Sequence, residues 1–138
     1  VSSHPLKDLD VSGDPRIFLL PREQWMTREE ISEHVKLCDA LLTAHKGESY
    51  LTTGVIGDAI GMGIPLVCNE WGYTRESLGE AGIYHDNTLA GLTRLFAEIT
   101  PEQIAAGKTA TTALQPQYDW RRLAAKTAEF FRQVRNMA

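Results

Sequence analysis

Four short apolar runs constrain this chain more than any other feature: Arg16–Leu20, Asp39–Ala44, Pro65–Cys68 and Gly82–His85. None alternates apolar with polar residues, as a strand with one wet face would. Strands written this way are covered on both faces, which is the habit of parallel sheets. Helical signals lie between and after the runs. Thr27 and Glu30 have capping-box spacing, and Met26 is placed to staple onto Ile31. Ile31, Val35 and Cys38 then follow helical spacing. Thr52 to Met62 reads as a helix closed by Gly63, and Tyr73 to Leu78 as a short one. Asp86 or Asn87 is placed to cap a helix with Leu89, Leu92, Phe96 and Ile99 on one face. Thr100-Pro101-Glu102-Gln103 is a further start, with proline in the first turn. The last helix begins at Asp119, and its expected inward face is Trp120, Leu123, Thr127, Phe130, Phe131 and Val134, with Trp120 as a structural anchor. Strands alternating with helices predict an α/β fold with a parallel sheet.

The 138 residues suit one domain and one core. Residues 1–15, with Pro5, Gly13 and Pro15, read as an arm or linker, and residues 16–138 as the domain. No repeat or low-complexity tract interrupts it. The net charge of −4 argues against a nucleic-acid partner, because neutralising phosphates needs a basic surface. Cys38 and Cys68 both sit in apolar stretches and are expected as buried free thiols, in keeping with a reducing cytoplasm. No apolar run has the ~20 residues of a membrane span, so no membrane span is expected. His4, His34, His45 and His85 show no metal-ligand spacing, and no metal or cofactor is expected.

In parallel α/β sheets ligands bind beyond the carboxyl ends of the strands. Two loops qualify: His45 to Thr53, and Asn69 to Thr74. The first enters a helix, so Thr52, Thr53 and Gly54 offer backbone N–H groups at its positive end, a phosphate-binding arrangement. Asp58 follows one turn beyond Gly54, within reach of a bound ribose. The alternative is that Thr52 only caps the helix and Asp58 is a solvated helix residue. Gly54, Gly57 and Gly61 weaken the helix that holds them, and predict close packing or close approach of a ligand. Trp71 and Tyr73 are expected in the core and Arg75 at the surface. Arg121, Arg122, Lys126, Arg132 and Arg135 read as the solvated face of the last helix.

Several segments, in order, resemble the donor-binding part of the C-terminal domain of GT-B glycosyltransferases of the group 1 type. They are Cys38-Asp39-Ala40-Leu41-Leu42-Thr43-Ala44, the Gly47-Glu48-Ser49 loop, and the stretch from Gly57 through Asp58 and Gly63 to Val67. Asn69 to Glu76, Gly79 to Tyr84 and Tyr118-Asp119-Trp120 continue the match, which runs from about Arg16 to Val134. The resemblance implies a Rossmann-like partial parallel sheet with helices on both faces. It implies binding of a nucleoside diphosphate sugar, as donor substrate and not as cofactor, for transfer to an acceptor held by a separate N-terminal domain. Glu48 stands where the family's first glutamate approaches the donor sugar. Ser49, Tyr50 and Leu51 follow along sugar and diphosphate, Thr52, Thr53 and Gly54 face the diphosphate, and Asp58 replaces the second glutamate, on the ribose. The resemblance leans towards the retaining, metal-independent branch.

The chain departs from the pattern in two ways. Glu48 and Asp58 are ten apart, two more than the family's acids, so either the loop holds an inserted pair or Glu48 is a surface acid. The family's Arg and Lys that neutralise the diphosphate leaving group have no counterpart here, and Lys46 is the nearby cation. These departures keep a second reading open: a non-catalytic α/β ligand-binding or assembly module. On the first reading, the chain alone is inactive and belongs to a larger transferase. It opens on Val1 rather than Met, which suggests a processed or truncated product. A small parallel sheet leaves an apolar edge, predicting either edge-to-edge homodimers or an edge covered by the first fifteen residues.

Overall fold

A computed structural model describes residue 15 and residues 26–43 and 54–137 of the chain. The strand expected at Arg16–Leu20 and the loop His45 to Thr53 lie outside the described residues, as does the arm apart from Pro15.

The core is organised around a three-stranded parallel sheet in the order β1-β2-β3, formed by Leu41–Leu42, Leu66–Asn69 and Gly82–His85. Leu66 pairs with Leu41 on one side and Gly82 on the other, so β2 is central and all four of its residues are buried. The fold is therefore mixed α/β with parallel strands, as the apolar runs imply. The edges are less covered: Leu42 of β1 is 50% exposed.

Helix α1 spans Arg28–Lys36. Thr27 Oγ1 accepts from the Glu30 N–H at 3.2 Å, and Glu30 Oε2 accepts from the Thr27 N–H at 2.7 Å. This is the expected capping box, and Thr27's bonds hold the Glu30 carboxyl below the usual carboxylate range. Helix α2 spans Gly54–Met62 and stops at Gly63, whose φ of +67° is a left-handed conformation that glycine adopts without strain. Ile56, Ala59 and Ile60 of α2 are buried against Leu66 and Cys68. Each fully buried Ile or Leu contributes about 1.5–3 kcal/mol.

Helix α3 (Gly72–Leu78) adds Leu78 to that cluster, with Tyr73 and Tyr84 packed beside it. Helix α4 spans Leu89–Glu98 and α5 spans Pro101–Leu114. Thr100 caps α5 in a capping box with Gln103, as expected. A Cβ on Gly107 of α5 would sit 3.0 Å from Pro65 Cβ, so glycine lets α5 close on the strand entrance. Thr111, with no exposed surface, satisfies its hydroxyl on Gly107 O at 2.8 Å. Helix α6 spans Trp120–Met137 and starts on Asp119, which accepts from the Arg121 N–H at 2.8 Å.

Several expectations fail, each for a local reason. Thr88, not Asp86 or Asn87, caps α4, since its Oγ1 accepts from the Gly91 N–H at 2.9 Å. Asp86 is occupied one step earlier, accepting from Thr88 N at 3.0 Å and Thr88 Oγ1 at 2.7 Å. Of the face expected for α4, Leu92 and Ile99 are half-buried but Leu89 and Phe96 are 83% and 54% exposed, so the inward face is rotated towards Gly91 and Leu95. Cys38 is exposed because α1 ends before it, whereas Cys68 is buried at the sheet centre, and both are free thiols. No α1 residue is buried, and Ile31 is 40% exposed. The largest departure is α6: Trp120, Phe130, Phe131 and Val134 are 83%, 61%, 65% and 47% exposed. Its apolar stripe is real, but of that stripe only Leu123 is half-buried, and the aromatic residues face solvent, so Trp120 is no core anchor. Among the described residues no helix is long and apolar enough to cross a membrane.

Candidate functional site at the carboxyl end of the sheet

Parallel pairing brings three strand ends together: Thr43 after β1, Asn69 at the end of β2 and His85 at the end of β3. His85 ties them. Its Nε2 lies 3.3 Å from Thr43 O and its Nδ1 accepts from the Asn87 N–H at 3.0 Å. An N–H donor facing Nδ1 and a carbonyl facing Nε2 are both satisfied by the neutral Nε2–H tautomer. His85 is only 5% exposed, so it acts as a clasp across the sheet end, a role its spacing in the sequence did not signal.

The loop after β2 is set by Thr74. Its hydroxyl accepts from the Trp71 N–H at 3.1 Å and donates to Asn69 O at 3.0 Å, which fixes the turn out of the strand. Arg75 leans back over this loop, with Nε 2.8 Å from Glu70 Oε1 and its guanidinium 4.0 Å above the Tyr84 ring. The pair is about half exposed, in keeping with the expected surface role, so it positions the loop more than it stabilises the fold. Tyr84 donates to Gly79 O at 2.8 Å, and burial pushes its hydroxyl up to about 12. Tyr73 packs against the core as expected. Burial also pushes the Cys68 thiol up to about 11, so it is no nucleophile at neutral pH.

Of the sequence-predicted site residues, Gly54 and Asp58 are described. Glu48, Ser49, Tyr50, Leu51, Thr52 and Thr53 lie outside the described residues. Gly54 and Asp58 sit one turn apart on the same side of α2 and open onto the same groove, of about 1450 Å³. The groove runs along α2 past Gly57 to Gly61. Its walls are α1 and the start of α6, with Tyr118 and Trp120 among their residues. Among the described residues, a Cβ built on Gly54, Gly57 or Gly61 would meet nothing within 4 Å. The expectation that close packing explains these glycines is thus corrected. They keep one side of α2 free of side chains, and space of this kind admits a ligand to the helix backbone.

A second cavity, of about 680 Å³, lies between β3, α4 and α5 and contains neither Gly54 nor Asp58. Among the described residues no three His, Cys, Asp or Glu side chains are grouped to hold a metal ion. Comparison with protein-family models, with curated proteins and with solved structures finds no match to this chain in any of the three.

Proposed function

We propose that this chain is the donor-binding part of a GT-B-type glycosyltransferase, with a Rossmann-like sheet that binds a nucleoside diphosphate sugar. One observation carries the reading. Helix α2 is the next described element after parallel strand β1, its first turn and Asp58 share an open groove, and a helix start that follows a parallel strand is where α/β sheets hold nucleotides. In this reading the first N–H groups of α2, from Gly54 onward, face the diphosphate, and the helix end favours its negative charge. Asp58 accepts hydrogen bonds from the ribose hydroxyls. The bare side of α2 at Gly57 lets the ligand lie against backbone. Glu48, Ser49, Tyr50, Leu51, Thr52 and Thr53 extend the same site along the sugar and diphosphate.

Sugar transfer needs stabilisation of the departing diphosphate, which is an electrostatic task. The chain lacks the family's Arg and Lys for it, so the proposal assigns binding to this chain and transfer to a larger assembly with an acceptor-binding domain. The ten-residue spacing of Glu48 and Asp58 and the missing cations favour one other reading, a non-catalytic α/β module that keeps the fold for ligand sensing or assembly.

Calorimetric titration of the chain with UDP and with GDP tests the proposal. Binding of either nucleotide, weakened about tenfold or more in Asp58→Ala, is the expected result, since a lost hydrogen bond to a charged group is worth about 1.5–3 kcal/mol. Binding that ignores Asp58→Ala would remove the ribose from this position. Absence of binding to both nucleotides would favour the non-catalytic module.

A further inference from the structure

We infer that α6 is an interfacial helix that seats the protein on an anionic lipid bilayer. At 3.6 residues per turn, Phe130, Leu123, Val134, Thr127, Trp120 and Phe131 occupy one arc of roughly 100°. Arg135 borders one side of that arc and Lys126 the other, each about 40° beyond its edge, with Arg121 and Arg122 further round. Glu129, the helix's only acid, and Arg132 both stand near the opposite pole and pair there. The aromatic residues of the arc are each more than half exposed, so the folded body does not cover them.

Charge selects the occupant. The whole chain carries −4, yet α6 concentrates five basic residues against one acid. A second copy of α6 laid on this arc would bring basic borders against basic borders on both sides, in either orientation. An anionic bilayer reverses that sign. Its headgroups meet the basic borders, and the acyl boundary takes the aromatic arc, with the long Arg and Lys stems reaching outward. Trp and Phe on the apolar side with Lys and Arg beside them distinguish a helix lying in the interface from one crossing the membrane, and α6 is too polar to cross. This inference does not depend on the nucleotide reading, and its test measures something else.

The test is flotation of the full chain with vesicles of phosphatidylcholine alone and of phosphatidylcholine with phosphatidylserine. The chain is expected to float with the anionic vesicles and to remain behind with the neutral ones. Raising salt from about 0.1 M to about 1 M should release it, because screening shortens the reach of the charges. Lys126→Gln with Arg135→Gln should lower partitioning by roughly 25-fold, and Phe130→Ser with Phe131→Ser should reduce it to background. All four side chains are exposed, so the variants leave the core intact, and circular dichroism checks this. Equal flotation with both vesicle types overturns the inference, as does binding that survives both double variants. A micromolar dimer in sedimentation that Phe130→Ser with Phe131→Ser dissociates also overturns it, since the arc would then belong to a second copy.

Discussion

Gly63→Ala and Gly61→Ala, two substitutions of the same kind two residues apart, should move stability in opposite directions. Gly63 has φ +67°, and a Cβ there would lie 2.8 Å from Thr112 Oγ1 and 3.3 Å from Gln115 Nε2. The left-handed conformation costs an alanine about 1–2 kcal/mol. Displacing Thr112, whose Oγ1 donates to Lys108 O at 2.8 Å, adds about 1 kcal/mol. The stiffer unfolded chain returns about 0.4–1 kcal/mol. The net destabilisation is about 1–2.6 kcal/mol, or a fall in Tm of roughly 3–9 °C for a domain of this size. Gly61 lies inside α2 with nothing among the described residues within 4 Å of its Cβ position, so alanine there should stabilise by up to about 1 kcal/mol. Gly63→Asn separates the two penalties, because asparagine keeps the Cβ contact but tolerates the left-handed region. Urea unfolding followed by circular dichroism reads all three. A stabilised Gly63→Ala, or two alanine variants shifting together, would refute the reasoning.

Two further outcomes follow from the chemistry of side chains. A thiol reagent at about pH 8 should modify Cys38 in the folded chain and reach Cys68 only after denaturation, because Cys68 is buried and its thiol is held near 11. Fast modification of both thiols in the native state would contradict the sheet's burial. Asp86 is held below the usual carboxylate range by its bonds from Thr88, and Glu30 by those from Thr27. A carboxyl depressed in the folded state stabilises it above the unfolded value of about 4, and that contribution is lost as pH falls through the folded value. The urea midpoint should therefore fall below about pH 4, and Asp86→Asn should flatten part of that fall. A midpoint that rises on acidification in that range, or a slope that Asp86→Asn leaves unchanged, would contradict the assignment.

What the sequence revealed divides by the range of the interaction. The capping boxes at Thr27 and Thr100 are exchanges within four residues, and both were readable from spacing alone. So were the end of α2 at Gly63 and the bounds of β3. The cap of α4 was misplaced by one or two residues because Asp86, Asn87 and Thr88 all have capping side chains, and only geometry shows Asp86 spent on Thr88. Long-range placement was not legible. Periodicity grouped Trp120, Phe130, Phe131 and Val134 on one face of α6, but a period says which residues share a face, not what covers it. Cys38 and Cys68 look alike as neighbours of apolar residues, yet one ends a surface helix and the other sits mid-sheet. The clasp from His85 to Thr43 spans 42 residues, and no local pattern announces such a bond. At the candidate site, Gly54 and Asp58 were singled out because a helix start after a strand is a local signal. The emptiness around Gly57 and Gly61 required the fold.

The most direct test of a nucleotide site at the carboxyl end of the sheet is amide chemical-shift mapping of the chain with UDP. The account predicts saturable shifts at Gly54, Gly57 and Asp58, accompanied by shifts at Ile31 and Tyr118 on the facing walls of the groove. Saturable shifts confined to the cavity between α4 and α5, at Arg94, Gln103 and Ala106, would contradict it, as would an α2 that stays silent while nucleotide binds elsewhere.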